Sequence, residues 1–156
     1  QDTLSFMRQL TVKYVDTKNS RVGEIISLIT HGYNPDLLVE NDPVLTIGDK
    51  TYTLNQRKIV ICLRENNGTF YDFNTLMFAF LHEISHIGTH SRYIDFTVKD
   101  PNHPNEFWEV FKFLLTEAVN FGYIQPIDYN TENSVNYCGV KIQHNPLFDH
   151  SIRSLA

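Results

Sequence analysis

Residues 75–87, read as TLMFAFLHEISHI, run without a proline or a glycine and are apolar on almost every side. A helix on a protein surface carries a polar stripe, whereas one that is apolar all round has to lie inside a domain with neighbours on each flank. Asn74 suits the N-cap of such a helix, and Gly88 is placed to end it. The remaining sequence must therefore supply layers around this segment. With 156 residues, 42% hydrophobic and 13% aromatic, the chain has the length and the material for one largely aromatic core.

The elements expected around the central helix follow from spacing. Residues 11–16 (TVKYVD) alternate and predict a strand. Asn19 or Ser20 caps a predicted helix reaching about Thr30, with Val22, Ile25, Ile26 and Ile29 on one face, and Gly32 and Pro35 break it. Residues 44–47 and 51–54 predict a hairpin turning at Gly48-Asp49, followed by a buried strand over 58–63 (KIVICL). A polar loop over 89–104 leads to a second helix over 106–121, capped by Asn105 and stopped by Gly122. Residues 134–142 alternate as a further strand. The expectation is an α+β fold, a mostly antiparallel sheet on two main helices, with one domain over 1–145 and a tail over 146–156.

Charge narrows the function classes. A formal net charge of -5 and a pI near 5.7 give no bulk attraction to polyphosphate, so no strong intrinsic nucleic-acid binding is expected. The longest apolar run, 76–81, is far short of a membrane span, and no secretory signal pattern opens the sequence. A soluble protein of the cytoplasm or nucleus is expected. Cys62 and Cys138 are expected as reduced thiols, Cys62 packing in its strand and Cys138 filling an apolar strand position. Asn67-Gly68-Thr69 matches a glycosylation acceptor, but Asn-Gly also makes a good turn, and the turn is favoured.

The central helix contains His82-Glu83-Ile84-Ser85-His86. Four residues advance a helix by little more than one turn, so His82 and His86 share a face and can meet at one metal ion, for which zinc suits imidazole. Glu83, about 100° round the helix from His82, falls beside that ion, where a carboxylate can accept a proton from water and return it to a leaving amine. Buried without partners, these groups would cost several kcal/mol, and the uncharged flanks Phe78 to Leu81 and Ile87 exclude a solvated face. A catalytic zinc needs a third protein ligand. Three candidates stand: His90, four residues after His86 but beyond Gly88; Glu117, inside the second helix; and His103, just before it.

The pattern HEISH, a polar loop, then His103-Pro104-Asn105-Glu106-Phe107-Trp108, resembles the SprT/Spartan and WLM metalloproteases. Residues 59–64 (IVICLR) followed by 73–76 (FNTL) resemble the WLM strand ahead of its active helix, and the stretch 128–140 resembles WLM-like proteins of large DNA viruses. The resemblance implies a minimal zincin-like fold, one catalytic Zn2+ held by His82, His86 and His103, and Glu83 as general acid/base. It also implies a protein or peptide substrate, including DNA-associated proteins. The spacing from His86 to His103 is nearer to SprT than to WLM members, which leaves the subfamily open and keeps Glu117 as an alternative ligand. Tyr123, Tyr129, Tyr137 and His144 are candidates for stabilising the transition-state oxyanion, with Tyr137 preferred beside its strand. A rival reading is a catalytically inactive, zinc-stabilised interaction module whose fourth ligand position is closed by a residue such as Cys138.

Overall fold

The computed structural model describes residues 1–17, 20–41, 52–54, 58–89 and 105–155. The chain opens with helix α1 (Asp2–Lys13) and continues with α2 (Ser20–Gly32) and strand β1 (Leu38–Glu40). Strands β2 (Tyr52–Leu54) and β3 (Lys58–Ile61) precede α3 (Phe73–Ile87), and α4 (Asn105–Asn120) is followed by the hairpin β4 (Val135–Tyr137) and β5 (Val140–Ile142). The arrangement of helices beside small sheets agrees with an α+β class.

The strand expected over 11–16 is instead the end of α1 and the turn after it. Phe6, Met7 and Leu10 are buried along one face of that helix, while Val12 and Val15 are exposed. The local alternation of β-branched residues loses to a helical face that begins nine residues upstream of it at Asp2.

Nor is the main sheet mostly antiparallel. Its order is β1-β3-β2: β1 pairs parallel with β3 (Leu38↔Ile59 to Glu40↔Ile61), and β2 pairs antiparallel (Tyr52↔Val60, Leu54↔Lys58). β3 is thus the central strand. Ile59, Val60, Ile61 and the following Cys62 are all buried, which is why that stretch reads as a continuous apolar run instead of alternating. Residues 44–47, the other half of the expected hairpin, lie outside the described residues.

The expected strand over 134–142 is a hairpin, with Tyr137 paired to Val140 across Cys138-Gly139. Both turn residues have positive φ, 50° and 77°, as a two-residue primed turn requires. Cys138 is therefore a turn residue and not a strand residue. It is also bonded to Cys62 across 76 residues, so the two thiols expected to be free form a disulfide that fastens the hairpin to the end of β3. Two hydrogen bonds reinforce the junction: the Tyr137 hydroxyl donates to the Cys62 carbonyl at 2.8 Å, and the Cys138 N–H donates to the Tyr71 hydroxyl at 2.9 Å.

α3 is the axis of the fold, touching α2, α4, β2 and β3. Its cap is Asp72 and not Asn74: Asp72 accepts from the Thr75 N–H at 3.0 Å and from the Thr75 hydroxyl at 2.7 Å. Asn74 instead exchanges hydrogen bonds with the backbone of Gln125, 51 residues away, and so fixes the chain leaving α4 to the start of α3. From Met77 to Thr89 every residue is buried. α4 ends where Gly122 adopts φ 81°, with Gly122 N–H bonded to Val119 and Tyr123 N–H to Ala118, a closure that glycine permits without strain. Beyond β5 the chain returns to α4, where buried Lys112 donates to the carbonyls of Asp149 and Ile152. Residues 65–69 form the expected turn: Asn67 Oδ1 accepts from Thr69 N–H, and Gly68 has φ 87°.

Candidate metal centre

α3 carries His82 and His86 on successive turns of one face, and the structure brings their rings to 4.9 Å between centroids with planes 83° apart. Ligand atoms of His82, Glu83 and His86 lie within 4.8 Å of one another. All three side chains are inside the protein, with relative exposures of 0%, 0% and 1%. Glu83 Oε1 stands 3.2 Å from His82 Nδ1, so one nitrogen of that imidazole faces the carboxylate.

The walls come from α4. Phe107 meets both imidazoles, and Phe111 meets the edge of His82 at 5.4 Å. Two imidazoles with a carboxylate beside them, amid such rings, suit a divalent cation. A buried carboxylate is costly unless positive charge lies beside it, and imidazole nitrogens are good ligands for zinc. The residues present therefore fit such an ion.

The other predicted site residues are placed as follows. His103 and His90 lie outside the described residues. Glu117 stands away from the histidines: its Oε2 accepts from Lys13 Nζ at 2.6 Å and its Oε1 from the Tyr14 hydroxyl at 2.6 Å. That carboxylate ties α4 to α1 and is not among the groups clustered with His82 and His86. Tyr14 in turn is held strongly protonated, its pKa raised by burial and by the hydrogen bond and charge of Glu117. Tyr137 is fully buried with its hydroxyl on the Cys62 carbonyl, so its proton is directed at the disulfide junction. Cys138, bonded to Cys62, is not the closing ligand that the rival reading called for. His144, an oxyanion candidate, is half-buried against Trp108 and bonded through Nε2 to Asp149 at 2.9 Å. Phe107 enters the sequence reading only within the motif that follows His103, although its place in the first turn of a helix that must cover the HEISH face was a signal for a role at the histidines.

No protein-family model and no solved structure matches the chain. Part of it is similar to viral proteins. Uncharacterized protein 042R of Invertebrate iridescent virus 3 is 33% identical over 92 residues, covering 58% of this chain and 52% of its own length. Uncharacterized protein 136R of Invertebrate iridescent virus 6 is 30% identical over 94 residues, 58% and 46% of the two chains. Uncharacterized protein R325 of Acanthamoeba polyphaga mimivirus is 27% identical over 99 residues, 62% and 45%. The chain spans about half the length of the curated relatives it matches, and their names assign no activity. Among the described residues, no helix is long and apolar enough to cross a membrane.

Proposed function

We propose that this chain is a zinc-dependent peptidase domain of HExxH type that hydrolyses peptide bonds in proteins. The observation that carries the reading is the cluster of His82, Glu83 and His86, buried on one helix with ligand atoms within 4.8 Å. His82 and His86 would hold the ion, and the resemblance to SprT and WLM proteases adds His103 as third ligand. Bound there, zinc supplies Lewis acidity toward a carbonyl and toward water.

The residues of the chain have separate tasks. Glu83 takes a proton from the attacking water at a carboxylate oxygen and passes it to the departing amine. The rings of Phe107 and Phe111 form the α4 wall beside the histidine pair. DNA-associated proteins enter as a substrate class only through the family resemblance.

One observation favours a second reading. Complete burial of all three groups is what a metal that merely stabilises an interaction module needs. Cleavage of an unfolded protein such as casein, with and without chelator, separates the two. Chelator-sensitive cleavage by the wild type, lost in Glu83→Gln while zinc stays bound, is the peptidase outcome. Bound zinc with no cleavage of any protein supports the module, and cleavage retained in Glu83→Gln removes Glu83 from the chemistry.

A further inference from the structure

We infer that Phe107 is a positioning residue for the two histidines, an inference that rests on the metal-site reading above. Its ring centroid lies 4.6 Å from that of His86 with planes 35° apart, and 5.0 Å from that of His82 with planes 71° apart. The histidines stand 4.9 Å from each other, so the three rings form a nearly equilateral triangle in which each blocks rotation of the other two. Phe107 is itself fully buried and braced, with Trp108 edge-on at 5.3 Å and Phe111 at 5.9 Å.

An imidazole turns freely about its last torsion, which is broad and two-fold. A ligating nitrogen is useful only at one setting of that torsion. Proteins commonly fix it with a hydrogen bond to the remote ring nitrogen, and loss of such support weakens metal binding by about 10- to 100-fold. His82 has its Nδ1 against Glu83. The ring of Phe107, 4.6 Å from that of His86 and tilted 35° to it, adds a steric limit on the same torsion of the second histidine. Phe107 belongs to the first turn of α4, so the orientation of both imidazoles depends on how that helix is seated on α3.

Phe113 provides the control. It is buried on the same helix at 2% exposure, but its ring partner is Tyr14 at 5.5 Å. The test is a Co(II) titration of the whole chain, followed by visible absorption and by competition with a chelator of known affinity, with thermal melting run alongside. Phe107→Leu is expected to bind Co(II) at least about tenfold more weakly, with an altered absorption spectrum. Phe113→Leu should lose comparable thermal stability yet keep the wild-type spectrum and an affinity within about threefold, and Phe107→Tyr should restore both. A Phe107→Leu variant that matches Phe113→Leu in affinity and spectrum overturns the inference and leaves the metal site standing. If Phe107→Leu does not fold, Phe107→Met is compared with Phe107→Tyr, and equal affinity in that pair overturns it as well. Wild-type protein that takes up no Co(II) overturns the metal site and this inference together.

Discussion

Reducing the Cys62–Cys138 bond should lower the thermal midpoint substantially without unfolding the protein at room temperature. The bond joins residues 76 apart. On the loop-entropy model, opening a loop of that size returns about 15 cal/mol/K to the unfolded chain, or about 4.5 kcal/mol at 25 °C. In a domain of this size each kcal/mol is worth about 2–4 °C, so the midpoint should fall by roughly 9–18 °C. The local junction should survive reduction, because the bonds from Tyr137 to the Cys62 carbonyl and from Cys138 to Tyr71 do not depend on the sulfurs. Melting followed by circular dichroism, with and without a phosphine reductant, reads the effect, and Cys62→Ser/Cys138→Ser is the control that should not respond. Two titratable thiols in denatured but unreduced protein, or identical melting in both conditions, would refute the cross-link.

Three further outcomes follow from the packing. Gly88→Ala should destabilise by about 1–2 kcal/mol despite better helix propensity, because a Cβ there would stand 3.2 Å from Ile29 Cγ1 and 3.3 Å from Val110 Cγ1; a raised melting temperature would contradict the close approach of α2, α3 and α4. Glu117→Ala should keep the wild-type zinc content and cost about 1–3 kcal/mol in urea unfolding, since it strands Lys13 and Tyr14; loss of zinc would make Glu117 a ligand after all. Tyr14, Tyr33 and Tyr129 all have raised pKa values, chiefly through burial. Because the folded state keeps protons that the unfolded state gives up, their stabilisation is complete below about pH 10 and is lost as pH rises beyond it. Tyr14→Phe should flatten that alkaline decline in a melting series from pH 8 to 11, and an unchanged slope would exclude Tyr14 as its source.

What could be read from residues alone depended on how far each signal extended along the chain. α3 and α4 are legible because long apolar segments end at glycines, and Gly122 does adopt the positive φ that a helix stop uses. The pairing of His82 with His86 is likewise local, fixed by one helical turn. Misreadings arose where a short window competed with distant contacts. The alternation over 11–16 belongs to a helix whose buried face, Phe6, Met7 and Leu10, lies upstream. β1 has only three residues, and its partner β3 begins 20 positions after it starts, so no local pattern announces a parallel pair. Asp72 outcompetes Asn74 as cap because Asn74 is engaged with Gln125. The disulfide depends on a turn at Cys138-Gly139, where Gly139 was the available sign of a hairpin, but the meeting with Cys62 is purely tertiary.

Zinc bound per folded chain is the most direct measurement of the central claim, taken by elemental analysis after zinc loading and gel filtration of the wild type, His82→Ala and His86→Ala. Close to one zinc per wild-type chain is expected, with little retained by either single-histidine variant. Folded wild-type protein that carries no zinc and accepts none would contradict it.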